Sequence, residues 1–128
     1  MGSGDAEVVI ALYEALNRRE VASALHLLAP DVEVRTTVET FRGIEGIRAW
    51  LAEVDRTFED YTAAAGEPLV VGDRVVVDVH QSGRGRGSGI DIDHTFTHVW
   101  TIRDGRATSL RAYTGRAEAL AAVGVPGG

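Results

Sequence analysis

The sequence predicts an α+β fold in which N-terminal helices pack on one curved antiparallel or mixed β-sheet with an internal pocket. Two patterns support this prediction: apolar spacings of three and four dominate the first half of the chain, and consecutive strand patterns fill the second half. The chain has 128 residues, of which 45% are hydrophobic. This length is sufficient for one domain with a buried core. We interpret residues 1–4 (MGSG) as a cloning remnant and residues 5–125 as a single domain.

The first half of the chain shows three helical patterns and one strand. The segment "DAEVVIALYEALNRRE" places an apolar stripe on a first helix, and "EVASALHLLAP" continues with a second helix that Pro30 is expected to end. The segment "DVEVRTTVET" alternates between apolar and polar residues and predicts a half-buried strand. The third helix is "GIEGIRAWLAEVDRTF", in which apolar residues again recur at spacings of three and four.

The second half predicts a meander of strands. A weak strand, "YTAAAGEPLVVG", contains Pro68 and is therefore expected at an edge or bend of the sheet. The segments "RVVVDVHQ" and "GIDIDHTFTHVWTI" are strong strands, and "RDG" is a tight-turn signal before a last strand, "RATSLRAYT". A short helix, "RAEALAAVG", closes the domain.

Composition excludes several classes of function. The net charge of −6 opposes nucleic-acid binding, because phosphate neutralisation requires a basic surface. The chain has no cysteine, so disulfides, thiolate nucleophiles and cysteine metal sites are excluded. No apolar run approaches the ~20 residues that span a bilayer. We expect a cytoplasmic protein without membrane or nucleic-acid partners.

The glycine-rich string "GRGRGSG" lies between two strands. A phosphate-binding loop requires a helix directly after it, and an arginine–glycine RNA-binding box requires repeats and aromatic residues. Neither is present, so the string is interpreted as a hairpin turn whose glycines permit positive φ angles.

The strand after this turn carries two histidines on one face. Residues Ile90 to Ile102 alternate, and the even-numbered row is apolar except for His94 and His98. This row is expected to face the core, with both imidazoles pointing inward.

The preceding strand carries Asp78 and His80, and their facing depends on the hairpin register. If Arg84 pairs with Ser88, Asp78 lies opposite His94 and both residues face inward. If Arg84 pairs with Gly87 instead, Asp78 and His80 turn outward, because a slip of one residue flips every side chain. The apolar pattern does not distinguish the two registers.

The inward register predicts acid–base chemistry. An aspartate beside a histidine fixes its tautomer and raises its basicity, and a second histidine then serves as acid or oxyanion donor. Histidine and aspartate are also metal ligands, but their spacing matches no tight metal signature. We therefore predict no metal and no cofactor.

Five strings together resemble the nuclear transport factor 2-like superfamily, in its SnoaL-like and ketosteroid isomerase-like branch. They are "YEALNRREVASALHLLAPDVEV", "FRGIEGIRAWLAE", "GDRVVVDVHQSGRGRGSGIDID", "HVWTIRDGRATSLRAY" and "GRAEALAAVGV". The resemblance spans nearly the whole chain and implies a cone-shaped fold, a deep apolar pocket and a homodimer formed through the outer sheet face. It also favours the inward register.

The resemblance carries over only in part. The isomerase branch uses a tyrosine, an aspartate base and a protonated aspartic acid, a known case of pKa tuning. These positions fall on Leu12, Thr36 and His98. Tyr13 stands one residue away from the tyrosine position, so its side chain is expected to point elsewhere. A further acid of the family, expected shortly after Tyr113, is also missing.

The sequence thus predicts a pocket for a hydrophobic, carbonyl-bearing small molecule, in a cofactor-free isomerase, cyclase or dehydratase. The predicted catalytic residues are His98 as acid or oxyanion donor and the Asp78–His94 pair or His80 as base. The alternative is a non-catalytic ligand-binding or dimeric interaction protein of the same fold. The residues expected to bind the substrate share an apolar or inward position: Leu12, Leu16, Thr36, Trp50, Phe58, Phe96, Trp100 and Leu110.

Overall fold

The structure, a computed structural model, describes residues 2–125 and contains four helices and seven strands in that range. The helices are α1 (Gly2–Asn17), α2 (Val21–His26), α3 (Gly43–Thr57) and α4 (Arg116–Ala122). The strands are β1 (Leu28–Arg35), β2 (Thr40–Arg42), β3 (Phe58–Ala65), β4 (Leu69–Val71), β5 (Arg74–Gly85), β6 (Asp91–Arg103) and β7 (Arg106–Tyr113). Within the segment interpreted as a cloning remnant, residues 2–4 belong to α1 and Met1 lies outside the described residues.

The seven strands form one mixed sheet, which confirms the predicted α+β fold. The strand order is β2-β1-β7-β6-β5-β3, and β4 pairs with β5. The β1–β7 pair is parallel and the others are antiparallel. We call the face that packs on α1 and α3 the inner face; it carries Val75, Val77 and Val79 of β5. The outer face carries Val76 and Val99 and is covered in part by α4.

The chain leaves α2 earlier than the sequence predicted. The helix ends at His26, and Pro30 lies inside β1 rather than at the end of a helix. The β1–β7 register shifts between Leu28 and Glu33, so the ladder is irregular where Pro30 stands. Proline lacks a backbone N–H and is tolerated in a strand at such an irregularity.

The third helix and the strands beside it follow the predicted pattern closely. Helix α3 ends at Thr57, and Phe58 begins β3. The weak strand is split into β3 and β4 between Ala65 and Leu69, around Pro68. At the β6–β7 turn, Asp104 and Gly105 have φ angles of 53° and 76°, as the primed turns of tight hairpins require.

The β5–β6 hairpin has neither of the two pairings considered from the sequence. Arg84 pairs with Asp91, and the turn comprises only residues 86–90. Gly87 and Gly89 adopt φ angles of 83° and 70°, so the glycines make the turn as predicted. Asp78 pairs with Thr97 and His80 with Thr95, which places both on the outer face. The inward register that the resemblance favoured is therefore wrong.

No helix in the described range is both long enough and apolar enough to cross a membrane.

Candidate functional site

A small cavity lies between the inner face of the sheet and the helices α1 and α3. Its volume is about 60 Å³. A space of this size holds a few water molecules. Most of its wall is apolar, formed by Leu16, Val21, Trp50, Leu51, Val54, Ala63, Trp100 and Leu110. Polar groups enter the wall from Tyr13, Asn17, Arg19, Asp55, Tyr61, Gln81 and His98.

Three buried side chains form a hydrogen-bonded chain beside this cavity. The indole N–H of Trp100 donates to the hydroxyl oxygen of Tyr13 at 2.9 Å. The same hydroxyl lies 2.6 Å from Nδ1 of His98. The ring of Tyr13 also packs against both partners, edge-on to Trp100 and stacked on His98. These hydrogen bonds connect α1 to the inward-facing row of β6.

The chain of hydrogen bonds fixes the tautomer of His98. The indole of Trp100 only donates, so the oxygen of Tyr13 accepts from it. Among the described residues the hydroxyl hydrogen of Tyr13 has no acceptor other than Nδ1, so Tyr13 donates to Nδ1, and the neutral imidazole of His98 carries its hydrogen on Nε2. Within residues 4–125, Nε2 has no hydrogen-bond partner in the protein. Every fully buried side-chain nitrogen or oxygen in this range does have a partner, so Nε2 is not fully buried, and His98 lines the cavity. His98 Nε2–H is therefore a donor that reaches the cavity.

Burial determines the charge of these groups. Loss of solvation lowers the pKa of His98 to about 4, because an imidazolium is unfavourable in an apolar environment. Burial also raises the pKa of Tyr13 far above its ordinary value, and the hydrogen bond from Trp100 opposes this only in part. Both groups are neutral near neutral pH, so the floor of the cavity carries hydrogen-bonding groups without charge.

An ion pair stands at the mouth of the cavity. Arg19, which follows α1, contacts Asp55 of α3 at 3.1 Å. The guanidinium also donates to the carbonyl oxygens of Leu16 at 3.0 Å and Tyr61 at 2.9 Å. Arg19 has a φ angle of 60°, unusual for a residue with a side chain. These contacts hold Arg19 in place, and its charge is balanced by Asp55.

The structure separates the four predicted catalytic residues. His98 is buried, with 6% of its surface exposed, and lines the cavity. His94 lies on the same face but is exposed; it contacts Gln81 at 3.1 Å and does not line the cavity. Asp78 and His80 lie on the outer face, opposite to their predicted position, because the pairing of Arg84 with Asp91 reverses their direction.

The outer-face residues have structural partners instead. Asp78 accepts a hydrogen bond from Thr97 at 2.9 Å and an ion-pair contact from Arg116 at 3.1 Å, which ties α4 to the sheet. His80 contacts the carboxylate of Asp93 across the hairpin. The expected Asp78–His94 pair does not form, since these residues lie on opposite faces.

Half of the predicted substrate-binding residues line the cavity: Leu16, Trp50, Trp100 and Leu110. The other four do not. Leu12 is fully buried in the core, and the Thr36 hydroxyl binds the backbone of Glu39 in the β1–β2 turn. Phe58 packs on Tyr61, and Phe96 packs on His94.

Several polar residues of the site were not predicted from the sequence. Tyr13 was expected to point elsewhere, yet its side chain is 4% exposed and bonded to His98. Its signal was present, because a buried tyrosine on an apolar helical stripe requires a partner for its hydroxyl. Asn17 follows Tyr13 by four residues on α1, and Gln81 continues the inner row of β5, whereas Tyr61 and Arg19 stand on no regular pattern. No group of three or more metal-ligand side chains occurs within the described part of the chain.

Comparison with known proteins identifies the family. The SnoaL-like domain family matches residues 9–110. The chain belongs to the SnoaL-like domain family. This agrees with the resemblance inferred from the sequence. It also agrees with the fold, because the solved structures similar to this chain include one with a ketosteroid isomerase-like fold. No curated protein is significantly similar to the chain.

Solved structures with the SnoaL-like fold cover almost the whole chain. A nuclear transport factor 2-like protein of unknown function from Burkholderia pseudomallei is 25% identical, with a TM-score of 0.79, over 95% of this chain and 98% of that one. TerC, co-crystallized with polyporic acid, is 26% identical, with a TM-score of 0.78, over 94% and 98%. A putative polyketide cyclase from Sinorhizobium meliloti is 27% identical, with a TM-score of 0.73, over 83% and 93%. The fold thus includes a relative crystallized with a small molecule.

Proposed function

We propose that the chain binds a small, uncharged, hydrophobic compound with a carbonyl group, and that His98 Nε2–H donates a hydrogen bond to the carbonyl oxygen. One observation carries the proposal: Nε2 reaches a largely apolar cavity while Nδ1 is held by Tyr13. Such a pocket combines apolar walls with a few fixed polar groups, as small-molecule sites do. The similarity to TerC and to a putative polyketide cyclase supports a small-molecule ligand.

The charge of the site favours an uncharged ligand. His98 is neutral near neutral pH because burial lowers its pKa to about 4, so it offers no charge to an anion. Among the described residues that line the cavity, the only cation is Arg19, and it is bound to Asp55. An anionic ligand would lose its hydration without a counter-charge on the floor of the cavity.

A second candidate function is proton transfer, as in an isomerase or cyclase. Asp55 lines the same cavity as His98, whereas Asp78 and His80 face away from it. In this scheme Asp55 removes a proton from the carbon next to the carbonyl and returns it to another carbon. His98 Nε2–H stabilises the enolate oxygen, as neutral imidazoles and other donors do at oxyanion sites.

Binding of two matched probes tests the first proposal. Acetophenone and ethylbenzene have the same ring, but only the first has a carbonyl, and both tryptophans of the chain line the cavity, so tryptophan fluorescence reports binding. We expect the wild type to prefer acetophenone about fivefold to tenfold, the value of one net hydrogen bond. His98→Leu abolishes this preference and His98→Gln, which keeps an N–H, retains part of it.

The control is His26→Leu, the same change at an exposed histidine of α2. It should leave the preference intact. Equal affinity of the wild type for both probes would refute the role of His98. Conversion of a ketone by the wild type, lost in Asp55→Asn, would support the second candidate.

A further inference from the structure

Strand β3 contains a bulge that directs a tyrosine into the cavity. Glu59 pairs with Arg84 and Thr62 with Ser82, so two residues of β3 stand opposite Gly83 alone. The bulge is made by Asp60, whose φ angle is 54°. After it, Tyr61 and Ala63 both lie on the inner face and line the cavity. Bulges of this kind occur next to functional sites, where they redirect a side chain.

Gly83 leaves room for this arrangement. A Cβ atom at Gly83 would lie 3.2 Å from the Cα atom of Tyr61, which is closer than nearly all such contacts. The absence of a side chain therefore allows β3 to bulge against β5. A left-handed residue such as Asp60 costs conformational energy, and aspartate tolerates it better than most residues.

Gln81 provides a second polar group beside Tyr61. Its side chain lines the cavity, and its Oε1 atom lies 3.1 Å from Nε2 of His94, the residue paired with it on β6. The oxygen of Gln81 only accepts, so the N–H of His94 donates to it. This orients the amide, whose N–H₂ group then points away from His94, and the side chain of Tyr61 lines the same cavity.

These groups enter the cavity from a different part of the sheet than His98 does. Gln81 stands opposite His94, and His94 and His98 are four residues apart on β6. The Cα atoms of Gln81 and His98 are therefore roughly 13 Å apart along the strands, while the side chains of both residues line the same cavity. Apolar side chains, among them Leu16, Trp50 and Trp100, form most of the remaining wall. The cavity thus has a neutral polar group at each of two separate places.

We propose that Tyr61 and Gln81 bind a second oxygen function of the ligand, a neutral hydroxyl or carbonyl, while His98 binds the first. His94 is a positioning residue that orients the Gln81 amide without touching the ligand. This inference rests on the proposed carbonyl-binding role of His98 and narrows its ligand to a hydrophobic compound with two separated neutral oxygen functions. A carboxylate at the second position is disfavoured, because the adjacent Arg19 is already bound to Asp55.

Three probes test the second binding position: acetophenone, para-hydroxyacetophenone and para-acetylbenzoate. They differ only in the group at the far end of the ring, and tryptophan fluorescence measures each dissociation constant. We expect the wild type to bind para-hydroxyacetophenone about fivefold to tenfold tighter than acetophenone, and para-acetylbenzoate more weakly than either. Tyr61→Phe and Gln81→Leu each reduce the hydroxyl preference to about twofold or less.

The role of His94 is tested by a pair of substitutions. His94→Phe removes the donor to Gln81 and should lower the hydroxyl preference, whereas His94→Gln keeps a donor and should restore most of it. His80→Phe is the matched control, because His80 is an exposed histidine on the opposite face of the same hairpin. It should leave the preference unchanged.

The outcomes separate this inference from the proposed function. A wild type that prefers acetophenone to ethylbenzene but gains nothing from the hydroxyl refutes the second binding position alone. Retention of the full hydroxyl preference in both Tyr61→Phe and Gln81→Leu refutes it as well. Tyr61→Phe removes one oxygen and keeps the packing of the ring, so this variant is informative even if Gln81→Leu fails to fold.

Discussion

The hydroxyl of Tyr13 lies 2.6 Å from Nδ1 of His98, and this contact joins the first helix to the central strand β6. The same hydroxyl oxygen also accepts a hydrogen bond from the indole N–H of Trp100 at 2.9 Å. The contact determines which nitrogen of His98 faces the cavity. The proposed chemistry of the site follows from this relationship.

Tyr13→Phe should destabilise the protein, because it leaves two buried nitrogens without a partner. Each such group costs about 1–3 kcal/mol. We expect the free energy of unfolding, measured by urea denaturation, to fall by about 2 kcal/mol or more. Tyr113→Phe, a matched change on the outer side of the sheet, should cost less than about 0.5 kcal/mol. Equal effects of the two substitutions would show that the Tyr13 hydroxyl contributes no buried bond.

His98 should make the protein less stable as the pH falls from about 6.5 to about 4. Above this window the imidazole is neutral in both the folded and the unfolded protein, so it does not make stability depend on pH. Within it, the unfolded chain binds a proton that the folded protein does not, so stability decreases with falling pH. The contribution amounts to roughly 3 kcal/mol over the window.

Denaturation at a series of pH values measures this contribution. His98→Gln should lose this component of the pH dependence, and His26→Gln, at an exposed histidine, should retain it. An identical pH dependence in the wild type and His98→Gln would contradict a buried neutral His98.

Asp78→Asn should leave ligand binding unchanged and reduce stability only slightly. The Asp78 carboxylate lies on the outer face, contacts Arg116 of α4 at 3.1 Å, and its side chain is 44% exposed. Exposed ion pairs contribute about 1 kcal/mol or less. Asp31→Asn, at another exposed aspartate, is the control for a charge change alone. A large loss of acetophenone affinity in Asp78→Asn would contradict the outward register.

We further propose that the chain forms a homodimer through the part of the outer face that α4 leaves open. Helix α4 covers Val76 and Val99, whereas Thr95 of the same row is exposed. An open β-surface of this kind is commonly covered by a second copy related by two-fold symmetry. Thr95→Arg should shift sedimentation from dimer to monomer, and Thr37→Arg, in an exposed turn, should not. A wild type that sediments as a monomer at high concentration would exclude the dimer.

Periodicity predicted the fold and the inward direction of His98. Strand β6 is long and strictly alternating, so its even-numbered row has one direction whatever the partner strand does. The helices were likewise predicted from a local pattern, apolar residues that recur at spacings of three and four. Pro30 was misplaced because the irregular β1–β7 ladder that accommodates it arises from pairing with a distant strand.

The facing of Asp78 and His80 was not predictable, because it depends on the number of residues in a glycine-rich turn. Tyr13 was missed since the packed side of α1 is wide enough to bury the adjacent Leu12 and Tyr13 together, at 1% and 4% exposure. The position of Tyr61 depends on a bulge with a left-handed aspartate, Asp60, and such a feature leaves no periodic signal in the sequence.

The imidazole nitrogen chemical shifts of His98, measured by NMR with and without acetophenone, test whether its Nε2–H binds a carbonyl. We predict a neutral ring with its hydrogen on Nε2 at about pH 6, well above the lowered pKa of about 4. We also predict that acetophenone, but not ethylbenzene, shifts the Nε2 signal. A His98 that titrates near 6.5, or an Nε2 signal that responds equally to both probes, would contradict these predictions.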